Sequence, residues 1–427
     1  MINVHIKTYG CSFNQADSER MAGLLSYAGY NLVDAAEQSD VVTINSCTVK
    51  NMAESKVFQD IRKFDDKKII VAGCVPQAEQ SYADTRLKEY SLVGTYQLHQ
   101  IAHAVEETVQ GNRVVFLEKE KNQRILLPKI RRNSIVEIVP INEGCLGNCS
   151  FCKTKQARGN LFSYEQRAIV QQVRRAVDEG CKEIWLTSQD TAVYGYDLKT
   201  NLPQLLHELL EIPGDFFIRL GMGNPDFFQK HAQELIEIFK HPKMFKFLHI
   251  PIQTGNDAVL RDMLRGYTVA EFKAIVEAFR REIPEMTIST DIICGFPTET
   301  QEQFADTLKL VEDIHFDVIN ISRFWQRPGT KAAALKQLPS KVGKERAAQL
   351  KTVHEQTAYE RNQRWIGWKG TIVIDEQDKY GSFVGRNYCY RPVLVKGSFK
   401  LGEIVSVMIT EVTKRNLRGK VISPRHH

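Results

Sequence analysis

Nowhere in the 427 residues is there an apolar run of the ~18 residues that a membrane-spanning helix needs; the longest candidates, such as Ile69–Val75, are strand-sized. The opening residues, MINVHIKTYGC, lack the basic and apolar regions of a secretory signal. Long repeats and low-complexity tracts are missing too. With 43% hydrophobic and 25% charged residues, the composition excludes a disordered, collagen-like or coiled-coil chain. Cysteine is scarce and odd in number, nine in all, which argues against a disulfide framework and for metal-binding or reactive thiols. The expectation is a cytoplasmic enzyme of two to four domains, at roughly 100–200 residues each, without a membrane partner.

What is present is unevenly charged. From Arg323 onward there are 21 Lys and Arg against 8 Asp and Glu, a net of +13, whereas the first 322 residues carry 36 against 43, a net of −7. A basic end on an acidic body points to a polyanion, and nucleic acid is the common one.

The hydrophobic pattern divides the chain in three. Strand patterns at Val4–Thr8, Val41–Asn45 and Ile69–Gly73 alternate with helical ones at Asp17–Tyr27 and Ala53–Phe64, which implies a parallel sheet with helices on its faces. The charged stretch Glu118–Arg132 reads as a linker. Six further strand patterns, from Val136–Ile141 to Val318–Ser322, alternate with helices and predict a full or partial βα barrel whose site lies at the strand C-termini. A helix at Lys344–Trp365 precedes five short strand patterns in the last sixty residues, the mark of a small antiparallel barrel.

Six cysteines fall into two trios. Cys145, Cys149 and Cys152 form C-x3-C-x2-C directly after the first strand of the six-unit domain. Three thiolates so close can hold a [4Fe–4S] cube by three irons and leave the fourth open; a structural zinc site would want a fourth ligand nearby, and none follows. Cys11, Cys47 and Cys74 each follow an apolar strand. In a parallel sheet such strand ends share one edge, so this trio could converge on a second cluster, or simply pack there. Cys181, Cys294 and Cys389 read as packing residues, and His426-His427 as a disordered tail.

The motif text then resembles a known family. C-x3-C-x2-C after the first strand of a βα barrel is similar to the radical S-adenosylmethionine (SAM) superfamily. Thr8-Tyr9-Gly10-Cys11, Asn14, Asp17-Ser18-Glu19, Asn45-Ser46-Cys47 and Ala72-Gly73-Cys74 resemble the N-terminal domain of the methylthiotransferases. Leu248–Gly255, Arg265-Gly266-Tyr267-Thr268, Thr290–Thr300 and Arg327-Pro328-Gly329-Thr330 resemble the rest of that family up to its C-terminal TRAM domain. The resemblance implies an α/β N-terminal domain over 1–117, a linker over 118–133, a partial (β/α)6 radical SAM barrel over 134–366 and an OB-like TRAM β-barrel over 367–427. Cys152–Leu161 is similar to the archaeal and eukaryotic branch; because the chain stops at Arg425-His426-His427, without the membrane anchor common in eukaryotic members, the archaeal type is expected.

That resemblance implies a tRNA methylthiotransferase that adds CH3–S to C2 of N6-threonylcarbamoyladenosine at position 37, in the anticodon loop. It implies two [4Fe–4S] clusters, held by Cys11, Cys47 and Cys74 and by Cys145, Cys149 and Cys152. One SAM methylates a sulfur at the first; a second SAM, on the other, gives the 5′-deoxyadenosyl radical; an electron donor of unknown identity is required. Phe151 is expected beside the SAM adenine, and Gln189, Arg219, Gln253 and Asp291 are expected as SAM contacts. For RNA the candidates are Arg158, Lys396, Lys400, Lys414, Arg415, Arg418 and Lys420, interleaved with Phe383, Tyr388, Tyr390 and Phe399, which could stack on bases or belong to the barrel core, the spacing leaving open which face outward. Rival readings are a methylthiotransferase acting on isopentenyladenosine-37 or on a ribosomal-protein aspartate, and a noncatalytic iron–sulfur carrier or RNA binder.

Overall fold

The strands Val41–Ser46 (VVTINS) and Lys68–Gly73 (KIIVAG) are buried along nearly their whole length, as expected for parallel strands covered on both faces. They are the centre of a six-stranded parallel sheet in a computed structural model that describes residues 1–48, 51–378 and 381–422. Its strands are β1 (Asn3–Thr8), β2 (Asn31–Leu32), β3 (Val41–Ser46), β4 (Lys68–Gly73), β5 (Ser91–Gly94) and β6 (Val115–Phe116), in the order β2-β1-β3-β4-β5-β6. The sequence pattern reveals only β1, β3 and β4; the other three are two to four residues long, too short to show a period.

The first helix runs Ser12–Tyr27, five residues earlier than its apolar spacing begins. Its opening turns carry Asn14, Asp17, Ser18, Glu19 and Arg20, all buried between the sheet and the next domain. Polar residues there conceal the helix from a hydrophobicity reading.

The middle of the chain adds β7 (Val136–Pro140), a short hairpin of β8 (Asn142–Glu143) with β9 (Phe162–Ser163), then β10 (Glu183–Thr187), β11 (Phe217–Leu220), β12 (Phe247–His249), β13 (Thr287–Cys294) and β14 (Val318–Arg323). The six long strands form two parallel sheets, β11-β10-β7 and β12-β13-β14, joined by the single bridge Ile218–Met244. This is a partial barrel, with a core of Ile184, Leu186, Ile218, Leu220, Ile288 and the helices outside them. Residues 118–132 hold no regular element beyond β6, yet they are no free tether. Arg124 pairs with Glu143, Lys129 with Glu137 at 2.7 Å, and Ile125 enters the barrel core.

The last five strands, β15 (Lys369–Gln377), β16 (Phe383–Arg386), β17 (Pro392–Val395), β18 (Ile404–Val412) and β19 (Leu417–Val421), close a small barrel in the order β15-β16-β17-β19-β18. It docks at the seam between β11 and β12. The Lys246 N–H donates to Tyr388 O at 2.8 Å, and the Tyr390 ring packs on Phe245 and Phe247. Buried Asp317 fixes the joint: Arg361 and Arg364 bond its carboxylate at 3.0 and 2.9 Å, and Arg391 bonds its carbonyl at 3.3 Å. Burial alone would raise the Asp317 carboxyl, but the surrounding guanidiniums hold it below its ordinary value. Among the described residues no helix is long and apolar enough to cross a membrane; His426-His427 lie outside those residues.

Candidate active site

Because β1, β3 and β4 are neighbours, Cys11, Cys47 and Cys74 reach the same sheet edge at their C-terminal ends. Cys11 caps the helix Ser12–Tyr27, and Cys74 opens the helix Cys74–Ala78. The turn before Cys11 requires glycine twice over. Gly10 has φ +110°, and a Cβ there would lie 2.7 Å from Cys47 Cβ and 2.9 Å from its Sγ. Asn14 ties the edge together: its amide donates to Tyr9 O at 3.0 Å and Ser46 O at 2.8 Å, while its Oδ1 accepts from Cys74 Sγ at 3.5 Å. Asn45 donates to Asn14 O and Ser18 Oγ, both at 2.8 Å. Those polar motif residues hold the thiol edge in shape.

The second trio lies in the loop closed at its base by the β8–β9 hairpin. The Gly144 N–H donates to Gln189 Oε1 at 2.7 Å, and the Gly147 N–H to Cys145 Sγ at 3.1 Å. Ser150 bonds Met263 O at 3.0 Å and Asp262 O at 2.8 Å, pinning the loop to the barrel. Arg265 Nη1–H donates to Cys149 Sγ at 3.0 Å. Its other nitrogens reach Tyr267 Oη at 2.9 Å and Asn224, which in turn bonds buried Asp190. Burial raises the Asp190 carboxyl to about 6, with Asn224 opposing. Burial likewise pushes the Cys145 thiol up to about 12, with the nearby Asp190 adding to it. A neutral thiol is therefore favoured until a cation takes the proton's place.

Both trios fit a [4Fe–4S] cube by the chemistry of their donors. Among the described residues none of the six thiols is tied up in a disulfide, and N–H donors point at Cys145 and Cys149 sulfurs. Among the described residues no three His, Cys, Asp or Glu converge to grip a single metal ion. A cube does not need that, since each sulfur binds a different corner. The two sites adjoin: Ser12, next to Cys11, bonds Thr187 at the C-terminal end of β10 at 2.9 Å, and Arg327 bonds Glu54 of the N-terminal sheet domain at 3.2 Å.

The remaining sequence candidates fall in distinct places. Phe151 packs with Val259, Met263, Phe296 and Ala332 in an apolar nest beside the loop. Gln189 braces Gly144. Gln253 has φ +72° and bridges β13 through Asp291 O and Ile293 N. The Asp291 carboxylate accepts from Asn320 at 2.8 Å and lies 3.2 Å from His249 Nε2. Arg219 is enclosed by the rings of Trp185, Phe247 and Tyr390 at 5.3, 5.0 and 4.9 Å.

On the RNA side one expectation needs correcting. Arg158 does not face a nucleic acid: it is 1% exposed and bonded to Asp17 at 2.6 Å. The barrel aromatics, whose side the spacing leaves open, pack inward or at the joint. Phe383 and Phe399 meet at 5.5 Å in its core, Tyr388 lies against Trp365, and Tyr390 is spent on the joint. Lys414, Arg415 and Arg418 are exposed but engage Glu355 and Glu411. Lys396, Lys400 and Lys420 are exposed, and their ammonium groups have no ion-pair partner among the described residues. Sequence reasoning missed the roles of Arg265, Asn224 and Asp190, although Arg265 stood in a quoted motif. It also missed Trp325, 53% exposed just beyond β14.

The comparisons agree with this architecture. Residues 3–94 match the Uncharacterized protein family UPF0004, residues 139–311 the Radical SAM superfamily and residues 366–422 the TRAM domain. The human threonylcarbamoyladenosine tRNA methylthiotransferase is 43% identical over 98% of this chain and 74% of its own length. A Pyrococcus horikoshii protein, named as a probable enzyme of the same kind, is 40% identical over 99% of this chain and 100% of its own. The radical SAM methyltransferase TsrM of Kitasatospora setae, solved with cobalamin and a [4Fe–4S] cluster, shares the fold at TM-score 0.57 and 12% identity, over 78% of this chain and 76% of that one. With both thiol trios in place and such identity along nearly its whole length, the chain belongs to the threonylcarbamoyladenosine tRNA methylthiotransferase family of radical SAM enzymes.

Proposed function

We propose that this chain converts N6-threonylcarbamoyladenosine at position 37 of cytoplasmic tRNA to its 2-methylthio derivative, with two [4Fe–4S] clusters, SAM and an external electron donor. The observation that carries this reading is the pairing of a loop trio and a sheet-edge trio across one domain boundary, in a chain 40–43% identical to enzymes of that name. Neither a carrier protein nor an RNA binder alone needs two differently built thiol sites. The relatives' shared name favours the threonylcarbamoyl nucleoside over isopentenyladenosine or a protein aspartate.

When bound, the clusters and SAM supply the radical chemistry that an unactivated aromatic C2–H demands. The chain supplies position. Cys145, Cys149 and Cys152 hold one cube, and Arg265 steadies the Cys149 sulfur through a charge-assisted bond. Phe151 and its apolar neighbours form a dry wall for adenine, while Gln189, Gln253 and Asp291 contribute polar groups at the strand ends. Arg219, the remaining SAM candidate, is enclosed by Trp185, Phe247 and Tyr390. Cys11, Cys47 and Cys74 hold the second cube. Exposed Lys396, Lys400 and Lys420 attract the phosphate backbone, and the free ring of Trp325 offers a base a stacking surface. Residues 1–117, 134–366 and 367–427 act as the three functional units, joined through 118–133.

The test is mass spectrometry of tRNA nucleosides after expression in a host lacking this modification. The expected result is 2-methylthio-N6-threonylcarbamoyladenosine. A methylthio group on isopentenyladenosine instead, or on no nucleoside, contradicts the reading.

A further inference from the structure

Arg158 is a buried cation at the boundary of two domains. It ends the helix Thr154–Arg158, which starts two residues after Cys152, and so it belongs to the loop trio by sequence. Its guanidinium nevertheless crosses into the N-terminal domain. Nη2–H donates to Asn14 Oδ1 at 3.0 Å and to the Asp17 carboxylate at 2.6 Å, and the guanidinium carbon lies 4.5 Å from the Phe13 ring centre. Asn14 is the same residue that receives the Cys74 thiol. Nη1 is fully buried and has no hydrogen-bond partner among the described residues.

Charge makes this arrangement stranger still. Asp17 also faces Arg20 at 3.8 Å, with Arg20 itself 1% exposed and both of its terminal nitrogens unbonded. Two buried guanidiniums thus share one carboxylate. Burying an excess cation is costly unless an anion answers it. Cys74, whose thiol shares the Asn14 Oδ1 with Arg158, and Cys11 on the same sheet edge would carry that negative charge once a bound metal takes their protons.

We propose that Arg158 is a positioning residue of the sheet-edge trio, supplying a fixed positive charge and an N–H donor to the cluster held by Cys11, Cys47 and Cys74 and raising that cluster's reduction potential. The proposal rests on the reading that this trio holds a [4Fe–4S] cube. Reduction potentials of such cubes follow net charge and hydrogen bonds to sulfur, so a buried guanidinium that shares Asn14 with the Cys74 thiol is an effective lever. It also links the two sites. Arg158 stands in the segment that follows the loop trio, yet it bonds Asn14 and Asp17 of the N-terminal domain. Arg265 plays the corresponding part at Cys149, but from within its own domain.

The experiment uses the full chain with Cys145, Cys149 and Cys152 changed to Ala, so that only the sheet-edge cluster remains, and follows its EPR signal during a redox titration. Iron and an EPR-active cluster in this background separate the two questions: their absence contradicts the reading of the trio itself. Given a cluster, Arg158→Gln should lower its midpoint potential and alter its g-values, Arg158→Lys should restore part of the shift, and Asp17→Asn should move the potential upward. An unchanged potential in Arg158→Gln overturns the proposal, as does a shift of the same sign in Asp17→Asn. If Arg158→Gln cannot hold iron, retention by Arg158→Lys supports the charge role, and equal loss in both overturns it in favour of packing alone.

Discussion

Cys145, Cys149 and Cys152 come from one eight-residue loop, whereas Cys11, Cys47 and Cys74 come from three strands whose ends meet only when the sheet is formed. The loop trio is held by backbone N–H groups, by Ser150 and by one arginine of its own domain. The sheet-edge trio is held by a polar web of Asn14, Asn45 and Ser18, and by an arginine delivered from the other domain. Local spacing builds the first; topology builds the second. The difference teaches that two sites with the same ligand set can depend on very different amounts of the fold.

The largest effects should divide the trios by chemistry. Cys149→Ala should abolish 5′-deoxyadenosine formation along with methylthiolation, whereas Cys47→Ala should stop methylthiolation and leave SAM cleavage measurable. Chromatography of the nucleoside products decides this, and equal loss of SAM cleavage in both variants would erase the division. Next, Arg265→Gln should cut SAM cleavage by about 10–100-fold, the usual cost of losing a supporting bond to a metal ligand. Iron content of the variant separates a lost cluster from a mispositioned one.

Weaker effects are expected away from both trios. Changing Lys396, Lys400 and Lys420 to Gln should weaken tRNA binding and flatten its salt dependence by about one per lost phosphate contact, with SAM cleavage without tRNA unchanged. The smallest effect concerns the joint at the start of β14. His354 accepts the Ile319 N–H at 3.2 Å, and burial lowers its pKa from 6.5 to about 4. The folded state therefore binds fewer protons than the unfolded one in that window. Stability should fall as pH drops from about 6.5 toward 4, and His354→Gln should reduce that slope in thermal unfolding.

How much of this was legible depended on whether the signal was local. The C-x3-C-x2-C spacing and the strand ends bearing Cys11, Cys47 and Cys74 could be read directly, as could the alternation that gives the sheet and the partial barrel. Short β2, β5 and β6 could not, because two to four residues carry no period. The start of the helix at Ser12 was hidden by buried polar residues that only a facing domain makes sense of. Arg158 was misread for the same reason. In sequence it stands in a basic stretch with Lys153 and Lys155, and only the domain interface turns it inward. The barrel aromatics show the converse: alternate spacing cannot say which side of a strand is the core.

The central claim is that one chain carries two separately held [4Fe–4S] sites. Mössbauer spectroscopy with iron quantitation, on 57Fe-reconstituted wild type and on the two triple-alanine variants, tests it most directly. The account predicts two cubes in the wild type and one in each variant, with complementary spectra. A variant that keeps the full wild-type iron, or one trio whose loss removes every cluster, would contradict it.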